Sequence, residues 1–115
     1  MYLYLMYSTE LLKGSLKTII LKLLREHGQM YGYEITQRVK ELTEGDLVLT
    51  EGALYPTLHK LEADGLLSTE KVYQGKRMRK YYALTPSGVE ATVQKLEEFE
   101  DYVRMMRLIF NPKMS

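Results

Sequence analysis

The sequence of 115 residues has no cysteine, no tryptophan and only two histidines. Without cysteine there can be no disulfide, zinc–thiolate site or thiol nucleophile, and the composition fits a reducing cytoplasm. The histidines, His27 and His59, lie far apart and give no metal-ligand spacing. A glycine-rich phosphate loop and a Ser/His/Asp set are missing too. We therefore predict a cytoplasmic protein that is not an enzyme and holds no metal or cofactor.

The sequence also lacks an excess of either charge. It has 16 Lys and Arg against 15 Asp and Glu, for a formal net charge of +1. A surface for nucleic acid must therefore come from local clusters of cations. The apolar start of the chain, MYLYLMYS, is too short to span a bilayer and lacks the basic region of a signal peptide. We predict no membrane association and interpret residues 1–10 as an N-terminal arm.

Apolar residues at three- and four-residue steps predict three helices in the first part of the chain. The first covers roughly residues 11–27 and the second about residues 31–42. Thr50 can cap a third helix, which ends at Gly65. Pro56 lies too far inside this helix to be a first-turn proline, so its start should be kinked or the helix should begin nearer Leu54.

A basic hairpin follows the third helix. Two strand-like runs, Ser68–Tyr73 and Arg79–Leu84, flank a turn signal at Gln74-Gly75-Lys76. A groove-sized helix joined to a cationic β-ribbon is the layout of a winged helix-turn-helix, which we assign to residues 11–85. The predicted fold class is therefore mainly α with a small β-wing. Four cations of the wing have two possible roles. They either bind the phosphate backbone of a nucleic acid, which releases its counterions, or only form a water-exposed hairpin tip. They are Lys76, Arg77, Arg79 and Lys80.

A long last helix opens at Thr85-Pro86, with Thr85 as its cap and Pro86 at its first position. A helix of about 25 residues is about 37 Å long and would overhang a small domain. An exposed apolar stripe of this length is unusual unless it is a contact site. We predict that residues 86–115 form a dimerisation helix and tail, with packing on the first helix of the same subunit as the alternative. The stripe includes Thr92, and the predicted homodimer seam is Val89, Leu96, Phe99, Val103, Met106 and Phe110.

Side chains that read bases should lie on the third helix, opposite its buried leucines. Thr57 and His59 are candidates for base edges. Tyr55 and Lys60 are candidates for phosphates, and Gly52 would allow a close backbone approach. An aromatic residue beside a helical stripe also packs in cores, so Tyr55 has a structural alternative. The predicted DNA-binding residues of this helix are Thr50, Gly52, Tyr55, Thr57, His59 and Lys60.

Several stretches of the sequence resemble the PadR family of bacterial transcriptional regulators. They are GALYPTLHKLE at 52–62 with DGLL at 64–67, RKYYALTPSG at 79–88, KGSL at 13–16 and YGYEI at 31–35. The resemblance covers residues 11 to about 110 and implies a dimeric repressor that binds double-stranded DNA at a palindromic operator. Some members of its compact subgroup take flat hydrophobic ligands, stacked on a tryptophan between the dimer halves. This chain has no tryptophan, so a small hydrophobic effector would stack instead on Phe99 or Tyr102.

Two other functions also fit the sequence. One is a winged-helix module that binds another protein, with the basic wing as a solvated face. The other is a small-molecule sensor, in which an apolar pocket at the dimer centre matters more than the DNA site. Neither has an enzymatic role, because no set of acid, base and nucleophile is visible.

Overall fold

The structure, a computed structural model, describes residues 9–111 and residue 113. In chain order its elements are α1 (Thr9–His27), β1 (Gln29–Tyr31), α2 (Gly32–Leu42), α3 (Glu51–Ala63), β2 (Leu67–Gln74), β3 (Arg77–Leu84) and α4 (Pro86–Phe110). The strands form one antiparallel sheet in the order β1-β3-β2. The predicted fold class of helices with a small β-wing is confirmed. Residues 1–8 of the predicted arm lie outside the described residues, and α1 begins at Thr9, within the range predicted for the arm.

The sequence patterns do not predict strand β1. Its residues pair with β3, with Met30 opposite Tyr82 and Tyr31 opposite Tyr81. A strand this short shows no period of two, and its partner strand lies beyond α3 in the chain, so no local signal marks it. Consequently α2 begins at Gly32. The backbone N–H of Tyr31, just before it, donates a hydrogen bond of 3.0 Å to Glu34 Oε1.

Helix α3 begins at Glu51, so the later start near Leu54 is wrong. The predicted cap at Thr50 is confirmed, because its Oγ1 accepts a hydrogen bond of 3.2 Å from the Ala53 N–H. Pro56 lies inside the helix and has no N–H for the carbonyl four residues earlier. Both Pro56 and Gly52, which carries that carbonyl, are exposed, so water can satisfy the free acceptor.

The core lies between the first three helices and one face of the sheet. Tyr82 on β3 and Met30 on β1 are buried on that face. Because neighbouring residues of a strand point to opposite faces, Lys80 lies on the same side as Tyr82, whereas Arg79 and Tyr81 lie on the outer side. The helices contribute buried side chains from one stripe each: Leu16, Ile20, Leu21, Leu23 and Leu24 of α1, Ile35 and Val39 of α2, and Leu54, Leu58 and Leu61 of α3.

Thr85 ties the start of α4 to the segment that follows α3. Its Oγ1 accepts a hydrogen bond from the Gly88 N–H at 3.0 Å, which caps α4, and donates one to the Gly65 carbonyl at 2.7 Å. Its backbone N–H donates to the Leu66 carbonyl at 3.0 Å. Gly65 has a φ of +79°, in the left-handed region that favours glycine. The end of α3, the root of the wing and the start of α4 therefore meet at one point.

Helix α4 packs against α1 of the same chain. Thr92 is fully buried there and donates a hydrogen bond of 2.7 Å to the Gly88 carbonyl. Of the seam predicted on α4, Leu96, Val103 and Met106 are half-buried, whereas Val89, Phe99 and Phe110 are exposed. The contact with α1 therefore uses only part of the apolar surface of α4, and packing inside the subunit leaves room for a partner.

Gly88→Ala should destabilise the protein by about 1–3 kcal/mol, because a Cβ at this buried position would meet the carbonyl group of Leu66. Helix propensity alone would favour alanine by about 1 kcal/mol. A loss of stability rather than a gain therefore identifies the contact with Leu66. Urea unfolding followed by circular dichroism gives the free energy of unfolding. The control Ser87→Ala, at the exposed neighbouring position, should change it by less than about 0.5 kcal/mol. A Gly88→Ala variant as stable as the wild type would contradict this packing.

Candidate nucleic-acid interface

Helix α3 presents an exposed stripe opposite its buried leucines. Of the predicted DNA-binding residues, Gly52, His59 and Lys60 lie on this stripe. Pro56 also lies on it, one turn after Gly52. The four-residue spacing of these two residues places them on the same face of the helix. The stripe is narrow and polar in part, and its only cation, Lys60, is 3.1 Å from Asp64 Oδ1.

The two threonines predicted on α3 use their hydroxyl groups within the helix. Thr50 Oγ1 accepts the capping hydrogen bond from Ala53, and Thr57 Oγ1 donates one of 3.0 Å to the Ala53 carbonyl. Thr57 is half-buried, so it lies at the edge of the exposed stripe rather than on it. The Thr57 hydroxyl oxygen keeps a free lone pair and can still accept a hydrogen bond. Its contact with a base edge stays a prediction.

A groove between α1 and α3 brings two further cations beside the predicted site. Lys13 and Lys17 of α1 line it together with Thr50, Gly52 and Thr57 of α3, around a volume of about 570 Å³. Neither lysine is among the DNA-binding residues predicted from the sequence. No signal in the sequence could have found this neighbourhood, because it depends on how α1 crosses α3.

Tyr55 packs where α3 meets the start of α2. A Cβ built on Gly32 would lie 2.7 Å from Tyr55 Cζ, so the tyrosine ring occupies the space that this glycine leaves open. The ring is half-buried, and its centroid is 6.3 Å from that of His59. The structural alternative for Tyr55 therefore has a concrete contact, while its predicted role at a phosphate stays a prediction.

The structure divides the wing cations into a tip and two faces. Lys76 and Arg77 are exposed at the turn, where Gly75 has a φ of +64°. On the outer face, the Arg79 guanidinium carbon lies 4.6 Å from the centroid of the Tyr31 ring, a cation–π contact. On the other face, Lys80 Nζ is 3.5 Å from Glu62 Oε1 of α3. Among the described residues no carboxylate lies within ion-pair distance of the two tip cations.

Lys80 also lies over the ring of Tyr82, with its Nζ 5.4 Å from the ring centroid. Burial raises the pKa of the Tyr82 phenol above the usual value of a tyrosine. The phenol therefore stays neutral at physiological pH, and the contact with Lys80 is one between a cation and a neutral ring. Lys80 is consequently held by Glu62 and Tyr82, whereas sequence reasoning grouped it with the free cations of the tip.

A second groove, between α1 and α4, brings together the two residues predicted to stack on a ligand. Phe99 and Tyr102 line it with Gly14 and Thr18 of α1, and its volume is about 550 Å³. Such a volume is within the range of small-molecule sites. Lys95 and Glu98 add charge at its edge. The groove is open along one side of the single chain.

The last turns of α4 expose more apolar surface than the predicted seam contains. Ile109 is 64% exposed and Phe110 is 79% exposed. The heptad spacing leaves the other apolar residues of these turns out of the predicted seam. Within the described part of the chain, no helix is both long and apolar enough to cross a membrane. The exposed apolar side chains of this end that lie outside the seam are Tyr102, Met105, Leu108 and Ile109.

This chain is similar to known proteins in both sequence and structure. The profile of the transcriptional regulator PadR-like family matches residues 20–94. The transcriptional regulator Rv3488 of Mycobacterium tuberculosis is 38% identical over 76 residues, which are 66% of this chain and 68% of that protein. The structure of a transcriptional regulator from Clostridium thermocellum, Cth-833, has a TM-score of 0.77 at 34% identity, over 90% of this chain and 97% of that one.

A third relative has been solved on DNA. The structure of Bacillus subtilis PadR in complex with operator DNA has a TM-score of 0.63 at 35% identity, over 70% of this chain and 46% of that one. In sequence, this negative transcriptional regulator is 38% identical over 74 residues, which are 64% of this chain and 40% of PadR. This chain therefore matches less than half of the length of PadR.

The profile match runs from α1 through the wing and into α4, so it includes the exposed stripe of α3 and the basic hairpin. The relatives are regulators of transcription rather than enzymes. The chain belongs to the PadR-like family of transcriptional regulators and is a DNA-binding protein with a winged helix.

Proposed function

We propose that this protein is a repressor that acts in the cytoplasm and binds a palindromic operator as a homodimer. One observation carries the proposal: the exposed stripe of α3 is followed directly by a hairpin whose tip holds two unpaired cations, Lys76 and Arg77. The name of the B. subtilis relative, a negative regulator bound to operator DNA, supports the direction of control. In this proposal residues 11–85 bind DNA and residues 86–115 hold the dimer together.

Each α3 enters a major groove in this proposal, and each wing tip contacts the flanking phosphates. Gly52 allows the backbone to approach the DNA, and His59 projects from the exposed stripe toward base edges. Lys13 and Lys17, beside α3, extend the phosphate contacts. The two α3 helices of the dimer should lie about 34 Å apart, one turn of B-DNA.

The dimer forms through the second half of α4. A two-fold axis places the same apolar patch of each subunit against its copy, so one exposed surface is enough to make the contact. The exposed side chains at this end, Ile109 and Phe110 above all, supply that patch together with the predicted seam. A partner helix laid along α4 would also close the open side of the groove that contains Phe99 and Tyr102.

A small hydrophobic effector that occupies this groove is a second part of the proposal. The observation that favours it is the presence of Phe99 and Tyr102 in one groove of about 550 Å³. Two aromatic rings can hold a planar molecule without a tryptophan. Because α4 begins at the Thr85 contact with the end of α3, a ligand that shifts α4 changes the spacing of the two reading helices and so releases DNA.

Lys76→Ala together with Arg77→Ala should weaken binding to the operator and to unrelated DNA by the same factor. Because each subunit loses two phosphate contacts, the plot of log affinity against log salt should become less steep by about 2 per subunit. Fluorescence anisotropy over a range of salt concentrations measures both quantities. The control removes two cations from α1, Lys22→Ala with Arg25→Ala, and should leave the slope unchanged. An equal loss of slope in both variants would contradict the wing assignment.

Ile109→Asp should convert the dimer into a monomer, because it buries a carboxylate in the apolar contact between two α4 helices. Since Ile109 is 64% exposed in the single chain, the substitution leaves the core of the subunit intact. Sedimentation velocity gives the mass, and circular dichroism confirms the fold. Gln94→Asp, at an exposed position on the same helix, is the control. A folded Ile109→Asp dimer would place the interface elsewhere.

The fluorescent probe anilinonaphthalene sulfonate should bind the groove between α1 and α4 in a saturable way. Tyr102→Ala and Phe99→Ala should each weaken this binding about 3- to 10-fold, the size of one aromatic contact. Titration of probe fluorescence measures the affinity. Tyr73→Ala, which removes an exposed tyrosine from the wing, is the control. Equal binding by all three variants would show that the probe occupies another site.

A further inference from the structure

We propose that Glu62 is a positioning residue that holds the wing at a fixed angle to α3, and that this angle sets the preference for the operator over other DNA. The inference rests on the proposed operator binding. It assigns to a carboxylate, a group that phosphates repel, a positive role in recognition. Glu62 lies near the end of α3, and its side chain is 35% exposed.

The Glu62 carboxylate contacts both strands of the wing. Its Oε2 accepts a hydrogen bond of 3.2 Å from Thr69 Oγ1 on β2. Its Oε1 lies 3.5 Å from Lys80 Nζ on β3. Thr69 and Tyr82 face each other across the two strands, so the two contacts lie on neighbouring positions of one sheet face. In the described part of α3, Glu62 is the residue that makes a hydrogen bond or ion pair to the wing.

The contact is placed where the wing leaves the core. Tyr82 is buried, whereas every residue from Tyr73 to Met78 is exposed, so the tip has no packing of its own against the helices. On the outer face the Arg79–Tyr31 contact holds β3 to β1. Glu62 provides the matching contact on the inner face. Together the two contacts restrain the hairpin from both sides at the base of its exposed part.

Glu62 also balances a local repulsion. Lys71 on β2 pairs directly with Lys80 on β3, and like charges opposite each other destabilise a hairpin. The carboxylate beside Lys80 offsets this repulsion and takes Lys80 out of competition for phosphates. Lys76 and Arg77, at the tip of the wing, then meet DNA at a distance from α3 that the Glu62 contacts determine.

A positioning role for Glu62 predicts a different effect on DNA binding from the removal of its charge alone. Removing a negative charge near DNA strengthens binding to every sequence, because it removes repulsion from phosphates. Loosening the wing has a second effect, which falls on the operator alone. The contacts of α3 and of the wing tip with the operator strengthen each other only when one geometry allows both. A mobile wing therefore lowers the effective concentration of the second contact. The ratio of operator affinity to non-specific affinity therefore separates the two effects.

The test compares Glu62→Gln with Glu70→Gln. Glu70 lies next to Thr69 on β2, is exposed and points to the outer face, so its substitution removes the same charge without touching the α3 contact. Affinities for an operator selected from random sequences and for a scrambled duplex are measured by anisotropy at matched salt. We expect Glu70→Gln to leave the ratio unchanged and Glu62→Gln to lower it about tenfold. If the wild type prefers its operator and Glu62→Gln has the same ratio of operator to scrambled-duplex affinity, the inference is overturned and the proposed function is not.

A measurement without DNA separates a positioning role from a loss of folding. The chain has no cysteine, so Lys40→Cys on α2 and Lys76→Cys at the wing tip give two unique sites for spin labels. Labelled chains are mixed with an excess of unlabelled chains, so that each dimer carries one labelled pair. Double electron–electron resonance should show a broader distance distribution for Glu62→Gln than for Glu70→Gln or the parent. Equal distributions overturn the inference, and a wild type with no operator preference overturns the proposed function along with it.

Discussion

The hydrogen bonds of Thr85 are the constraint on which the arrangement of this protein depends. One hydroxyl group joins the segment after α3 to the start of α4, and the backbone of the same residue joins it to Leu66 at the root of the wing. Gly88 is buried against the carbonyl group of Leu66, which leaves no room for a side chain at position 88. Helix α3, the wing and α4 are therefore joined at this point through a few backbone atoms and one hydroxyl group.

Much of this arrangement could be predicted from the sequence, because local signals mark it. Thr50 and Thr85 precede helices as caps, and their capping hydrogen bonds are present. Gly75 lies at the turn of the hairpin with a positive φ. Strand β1 could not be predicted, since its pairing partner is distant in the chain. The start of α3 was ambiguous because Pro56 breaks a helical hydrogen bond, and only the exposure of that turn explains why the helix tolerates it.

The candidate site was harder to predict than the fold. Residue type and spacing identify the cations of the wing, but not their partners, which come from other elements. Lys80 and Arg79 are neighbours in sequence, yet one contacts Glu62 of α3 and the other contacts Tyr31 before α2. Lys13 and Lys17 reach the site only because α1 crosses α3. Tertiary packing therefore decides which cations are free to contact DNA, and local sequence patterns do not show it.

The near-zero net charge of the chain conceals a separation of charge along the fold. The wing, residues 67–84, carries five basic residues and one acidic residue, whereas α4 carries three basic and five acidic residues. A phosphate backbone is therefore attracted to one end of the subunit and repelled from the helix proposed to hold the dimer. This separation orients DNA before any base is read. It also explains why a carboxylate at Glu62 is tolerated beside the wing, since its charge is already matched by Lys80 and its geometry is what recognition needs.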